Sequence, residues 1–310
     1  MLTNYEVTIR NIDSLIDFLK SLCIEASVRS HLEHDYLMAH EFVENYRAGK
    51  HKKQTSEGRS ALSGLHELYK WIWSIKDAPD FHLLLPHMGM LIESATRINA
   101  VTPMISPVTG KQDDKTNKLI ETIVGMYSIK VGENIDLDDP LKSSNGTNPD
   151  VMFTYSGNRV AFACKTLRGK SEMTFLDNLR SAANQINRAK CDFGYIAINA
   201  MNIIPHEKIE NRVFTDFEEP LKIITSDIIN TYTSTRENNC IEMHEIFEQG
   251  KIRPVILTFI HSTTRLTSPV GNLSTILKGT FATDMCIGKA DISKDILFLS
   301  GVNEFIHNRL

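Results

Sequence analysis

The stretch NPDVMFTYSGNRVAFACKT, residues 148–166, predicts a β-hairpin. Strand-forming residues lie on either side of Ser156-Gly157-Asn158, and this triplet is typical of a tight turn between two strands. Asp150 opens the first strand and Lys165 closes the second. Because the two strands of a hairpin lie side by side, we expect this one to bring an acid and an amine together at strand ends.

The side chains of the second strand alternate between two faces. One face is apolar and is expected to pack on the core; it consists of Val160, Phe162 and Cys164. The other face consists of Ala161, Ala163 and Lys165. We expect Asp150 and Lys165 to project into a common cleft, with the Cβ of Ala163 facing the same space.

Apolar periodicity outside the hairpin predicts the remaining elements. Helical spacing predicts helices at 12–22, 66–76, 118–129, 173–190, 217–236 and 243–249, and apolar β-branched runs predict strands at 194–203 and 254–264. This order indicates an α/β domain from 106 to 310, behind a mostly helical N-terminal region from 1 to 105.

Two prolines and a glycine predict a connection at 102–117. The acidic tract 133–140, with Asp136, Asp138 and Asp139, is predicted to be a solvated loop rather than a metal site.

Composition excludes several classes of protein. The formal net charge is -4, so any nucleic-acid surface must be a local patch. The five cysteines are dispersed without CxxC pairs, which excludes a zinc finger, predicts no iron–sulfur cluster and fits a reducing compartment. The N-terminus does not have the pattern of a signal peptide, and no apolar run is long enough for a membrane span, so we expect a cytoplasmic protein without a membrane partner.

The hairpin motif resembles that of the PD-(D/E)xK, or restriction-endonuclease-like, nuclease superfamily. The superfamily motif is Pro-Asp, a variable hairpin, and then an acid, any residue and Lys. Here Pro149-Asp150 matches the first half and Lys165 the end. Glu121 on the preceding helix and Gln185 on the following one stand where members often carry these residues. The resemblance covers roughly 118–203 and implies a restriction-endonuclease-like mixed sheet flanked by helices.

The resemblance implies Mg²⁺-dependent hydrolysis of phosphodiester bonds, with Mn²⁺ as a substitute ion. Asp150 would be the central metal ligand, joined by the backbone carbonyl of Cys164, and Glu121 would hold a second metal. Lys165 would act on the attacking water or the phosphate, and Gln185 would orient Lys165 or a phosphate. On the same resemblance, DNA is expected over RNA, with a role in restriction or anti-phage defence.

Ala163 departs from the superfamily pattern, because it stands where the second acid belongs and has no ligand atom. One explanation is an engineered change from Glu, which we favour because the surrounding motif residues all remain. Another is that the acid has migrated, or that the chain is a natural inactive module that binds nucleic acid or a partner protein. As written, the chain is expected to be inactive or severely impaired. An unrelated α/β protein with a chance motif is the remaining reading, and it predicts that Asp150 and Lys165 lie far apart.

Charge near the motif favours a nucleic-acid partner. Residues 159–190 carry seven basic and two acidic side chains, a net +5 within a chain of -4. The basic residues predicted to contact phosphates are Arg168, Lys170, Arg180 and Arg188. The N-terminal helical region is expected to recognise DNA, hold a partner subunit or form a homo-oligomer.

Overall fold

The computed structural model describes residues 5–28, 30–50, 53, 55–94, 118–140, 147–210, 212–248, 250–269, 271–286 and 291–309. The predicted connection at 102–117 lies outside the described residues, which resume at Lys118. The predicted domain boundary at 105–106 lies outside them as well.

The N-terminal region is helical, as the sequence predicts. Its helices are α1 (Tyr5–Ser21), α2 (His31–Arg47), α3 (Ser56–Ile75) and α4 (Leu85–Ser94), with a 3-10 helix at Pro79–Leu84 before α4. Side-chain caps define two of the helix starts. The hydroxyl of Ser30 accepts from the N–H of Glu33 at 3.1 Å, and that of Thr55 accepts from Gly58 at 3.0 Å.

The rest of the chain alternates strands and helices. In chain order these are α5 (Leu119–Val131), β1 (Glu133–Leu137), β2 (Val151–Tyr155), β3 (Asn158–Thr166), α6 (Glu172–Arg188), β4 (Phe193–Asn199), α7 (Glu207–Glu210), β5 (Val213–Phe214), α8 (Glu218–Asn238), α9 (Cys240–Glu248), β6 (Ile252–Ser268), β7 (Gly271–Asp284) and α10 (Ser293–Ile306). A 3-10 turn at Met201–Ile203 follows β4, so the strand predicted to reach 203 ends at Asn199. The other predicted helices and strands are confirmed.

The strands form one mixed sheet in the order β1-β2-β3-β4-β6-β5, with β7 paired to β6. The pairs β1–β2, β2–β3 and β6–β7 are antiparallel, whereas β3–β4, β4–β6 and β5–β6 are parallel. Helices flank this sheet, which confirms the predicted α/β class. The predicted turn joins β2 to β3 with positive φ at Ser156 (47°) and Gly157 (80°), the backbone of a tight type I′ hairpin.

Both faces of the sheet are buried. The first core packs α1–α5 and α10 against the face that carries Val160, Phe162 and Cys164. The second core packs α6, α8 and α9 against the face that carries Ala161 and Ala163. The alternation of faces along β3 is therefore confirmed, but the expectation that only one face is apolar is wrong. The reason is that α6 connects the parallel strands β3 and β4, and such a crossover helix covers the sheet.

The sequence patterns missed several elements, among them α2, α4, α7 and β5. The acidic tract is not wholly a solvated loop, because residues 133–137 form the edge strand β1. Its polar residues are exposed and its two apolar residues, Ile135 and Leu137, are only half-buried, so the strand lacks a clear apolar signal. Strand β7 and helix α10 were also not predicted. No helix among the described residues is both long and apolar enough to cross a membrane.

Candidate functional site

Asp150 lies immediately before β2, one residue ahead of the pair between Val151 and Phe162 of β3. Its N–H donates to the carbonyl of Phe162 at 3.0 Å. Its carboxylate Oδ2 accepts from the backbone N–H of Cys164 at 2.6 Å. These two contacts hold the carboxylate over the end of β3, next to Ala163, and they leave only 6% of the residue exposed.

Glu121 reaches the same place from the first turn of α5, with 2% of the residue exposed. Its Oε1 lies 3.0 Å from Nε2 of His87, and its Oε2 lies 2.7 Å from Nζ of Lys118. The same ammonium lies 3.5 Å from Oδ1 of Asp150. One lysine therefore joins the two carboxylates that the sequence singled out.

Lys165 and Gln185 form the other side of the site. The ammonium of Lys165 donates to Oε1 of Gln185, and Nε2 of Gln185 donates to the carbonyl of Asn148 at 2.9 Å. Gln185 is buried on α6 and fixed at both ends of its amide, so it orients the lysine. The charge of Lys165 acts on Asp150 and opposes the rise in its pKa. Asp150 and Lys165 are thus neighbours, whereas a chance motif predicts that they lie far apart.

Burial governs the protonation of the cluster. Burial raises the pKa of Asp150 to about 6, helped by the nearby charge of Glu121 and opposed by Lys165 and Lys118. Burial likewise raises the pKa of Glu121, although Lys118 opposes it. For Lys118, burial acts to lower the pKa, but the carboxylates of Glu121 and Asp150 raise it above its ordinary value. Burial and Lys118 together lower the pKa of His87 to about 4, so its imidazole is neutral at neutral pH. Because a carboxylate oxygen only accepts, the contact of Nε2 with Oε1 of Glu121 assigns the remaining proton to Nε2.

Ala163 does not face an open cleft. It is 0% exposed and pairs with Ile196 of β4 beneath the second core. Its methyl group is on the same side of β3 as Lys165, as predicted, but apolar side chains cover that side. Cys164 contributes its backbone N–H to Asp150.

The residues present do not fit the magnesium site that the resemblance implies. Two carboxylates converge, but the ammonium of Lys118 lies against both of them, and the third ligand position is a methyl group. Within the part of the chain that the structure describes, no group of three or more His, Cys, Asp or Glu residues is placed to hold a metal ion. Magnesium needs several oxygen ligands in close to octahedral geometry, and two carboxylates already shared with a lysine do not supply them.

Among the basic residues predicted to contact phosphates, Lys170 and Arg180 have acidic partners. Lys170 lies 2.7 Å from Asp227 on α8. Arg180 lies 3.3 Å from Asp177 and 3.6 Å from Glu242 on α9. The net charge of +5 counted for residues 159–190 therefore overstates the positive charge of this surface, because Asp227 and Glu242 from later helices pair with two of its cations. Of the other two, Arg188 is exposed and Arg168 is half-buried.

Sequence reasoning missed His87 and Lys118. Lys118 carried a signal, since it precedes Glu121 by three residues and so shares one helix face with it. His87 carried none, because it meets Glu121 across 34 positions of the chain. Asp138 also belongs to this neighbourhood, since its N–H donates to the carbonyl of Asp150 at 3.0 Å.

Comparison with models of known families, with characterised proteins and with solved structures finds no match to this chain.

Proposed function

We propose that this chain is an inactivated variant of a metal-dependent nuclease of the PD-(D/E)xK type, in which Ala163 stands where the active enzyme has Glu, so that it binds nucleic acid without cutting it. The observation that carries the proposal is the convergence of Glu121, Asp150, Lys165 and Gln185, which come from α5, the start of β2, β3 and α6. The superfamily resemblance gives each of these residues a role, and they meet here from four different segments of the chain. DNA is the proposed substrate over RNA, and a role in restriction or anti-phage defence rests on the resemblance alone.

The chemistry of the cluster suits a phosphodiester. The half-buried Lys165 is oriented by Gln185 beside Asp150, where its ammonium can neutralise a phosphate oxygen or hold a water molecule. The raised pKa values of Asp150 and Glu121 are typical of functional sites, where burial perturbs groups that do chemistry.

Position 163 is where a missing acid would complete the site. Ala163 precedes Cys164, whose N–H holds the Asp150 carboxylate, and its Cβ lies on the same side of β3 as Lys165. We expect a carboxylate at 163 to reach that of Asp150 once the apolar side chains packed on Ala163 make room for it. Three carboxylates together would offer the hard oxygen ligands that suit Mg²⁺ or Mn²⁺, and such ions activate water for hydrolysis.

The decisive experiment is Ala163→Glu, with Ala163→Gln as its matched control. Glutamine has the same size but no charge, so it separates a new ligand from a new volume. Plasmid DNA, linear duplex, single-stranded DNA and RNA are each incubated with the folded proteins and Mg²⁺ or Mn²⁺. We expect cutting by Ala163→Glu alone, and we expect Asp150→Asn in the same chain to abolish it.

A non-catalytic binding module is the second candidate, and the complete burial of Ala163 among apolar side chains favours it. A fully buried alanine among apolar side chains is what an ordinary core position contains, so no lost acid is needed to explain it. The genomic codon at position 163 discriminates between the two. A folded Ala163→Glu protein that binds nucleic acid but never cuts it would establish the binding module.

A further inference from the structure

Lys118 lies where the two buried carboxylates of the site meet. We propose that Lys118 is the resident counter-cation of the site: its ammonium takes the place of a divalent ion between Glu121 and Asp150, and such an ion binds only by displacing it. This inference rests on the proposed function in treating the cluster as a cation site. It concerns ion binding and does not depend on whether the chain cuts nucleic acid.

The four carboxylate oxygens divide into two kinds. One oxygen of each carboxylate accepts from a neutral donor: Oε1 of Glu121 from His87 at 3.0 Å, and Oδ2 of Asp150 from the N–H of Cys164 at 2.6 Å. The other oxygen of each faces the same ammonium, Oε2 of Glu121 at 2.7 Å and Oδ1 of Asp150 at 3.5 Å. Two oxygens from separate elements thus converge on one cation, as they would on a bridging metal ion.

Charge balance gives the same result. The ionised forms of Glu121 and Asp150 carry two negative charges, and Asp138 adds a third that acts on Lys118 and Glu121. Lys118 and Lys165 carry two positive charges. A divalent ion added to this set would leave an excess of positive charge in a buried place, which is costly. The excess falls if Lys118 leaves, and falls further if a third carboxylate is added at 163.

The side chain of Lys118 is also placed so that its ammonium can move away from the two carboxylates. It caps the N-terminal end of α5, outside the regular helix, and 20% of its side chain is exposed. Its long side chain can turn towards solvent without disturbing the hydrogen bonds of the helix. The neutral donors His87 and Cys164 would keep both carboxylates in position meanwhile.

The experiment compares Mn²⁺ binding by the unaltered chain, Lys118→Met and Lys130→Met. Lys130 is the matched control, because it lies on the same helix and its ammonium contacts the carbonyl of Ser74 rather than a carboxylate. Melting temperature and calorimetric heat are measured against Mn²⁺ at constant ionic strength. We expect Mn²⁺ to raise the melting temperature of Lys118→Met by several degrees, because an ion that binds only the folded state stabilises it. The unaltered chain and Lys130→Met should not respond.

Further variants keep each outcome decisive. Adding Asp150→Asn to Lys118→Met should remove the response, which assigns the ion to this site. Lys118→Gln provides a second, polar replacement, and a Lys118 variant that folds only when Mn²⁺ is present would support the proposal. An absence of Mn²⁺-dependent gain in both Lys118 variants would overturn it, and so would an equal, Asp150-dependent response of the unaltered chain. Failure of Ala163→Glu to cut would count against the proposed function and leave these results unchanged.

Discussion

Two of the buried clusters of opposite charges in the described part of the chain differ in how well their charges are matched. In the first, Glu67 of α3 contacts Lys70 at 2.5 Å and also Lys278 of β7. Lys278 in turn donates to the carbonyl of Ile306 at 2.9 Å, so the cluster ties α3, β7 and α10 together. The second is the candidate site, where Lys118 serves both Glu121 and Asp150.

The direction of the carboxylate pKa values shows the consequence. Burial by itself would raise the pKa of Glu67, but Lys278 and Lys70 outweigh it and the pKa falls below its ordinary value. At Glu121 and Asp150 the nearby lysines do not outweigh burial, so both pKa values rise above their ordinary values. At Glu67 two ammonium partners stabilise the charged carboxylate, whereas at the candidate site Lys118 and Lys165 do not compensate for the burial of two neighbouring carboxylates. The first cluster is therefore structural, and the second keeps the unfavourable electrostatics that are typical of functional sites.

The largest effect on stability is expected from Lys278→Met. This change leaves Glu67 buried with one partner and removes the donor to Ile306. Breaking a buried ion pair by removing one partner costs about 3–5 kcal/mol of unfolding free energy, and the remaining contact with Lys70 favours the lower end. Denaturant unfolding measures the loss, with Lys222→Met on the exposed face of α8 as the control. Equal stability of the two variants would show that the first cluster is not structural.

Asp150→Asn is expected to act in the opposite direction. The folded-state pKa of Asp150 is raised from 3.8 to about 6, so the folded protein holds this proton more tightly than the unfolded chain. The stability that this proton contributes is complete below pH 3.8 and is lost as the pH rises through about 6. At pH 8 the loss corresponds to about 3 kcal/mol, and Asn, which resembles the protonated acid, avoids it.

We therefore expect Asp150→Asn to raise the unfolding free energy at pH 8 and to leave it nearly unchanged at pH 4. Glu67→Gln is the comparison from the other cluster. Since the pKa of Glu67 is lowered, its ionised form stabilises the fold, and this variant should lose stability at pH 8. Denaturant unfolding of both variants at the two pH values measures the contrast. Loss of stability at pH 8 in Asp150→Asn would contradict the distinction between the clusters.

The hairpin was predictable because its signals are local. Alternating side chains and the Ser156-Gly157 turn determine the two strands, and the strands bring Asp150 to the end of β3. The burial of Ala163 was not predictable, because alternation assigns a residue to a face without telling whether a helix covers that face. His87 and Lys278 were missed for a related reason: each meets its carboxylate partner across a long stretch of chain, where periodicity carries no information.

The smallest effects are expected on the basic surface, where acid partners again decide the role of a cation. Arg188 is exposed on the last turn of α6, while Arg180 on the same helix is shared between Asp177 and Glu242. A cation already paired with an acid releases less counterion when a phosphate approaches, so Arg188→Ala should weaken DNA binding more than Arg180→Ala. The loss should be modest and equal across DNA sequences, and the salt slope should fall by about one for Arg188→Ala and by less for Arg180→Ala. Binding isotherms at several salt concentrations measure both quantities. Unchanged affinity and salt slope in Arg188→Ala would place the nucleic-acid path away from α6.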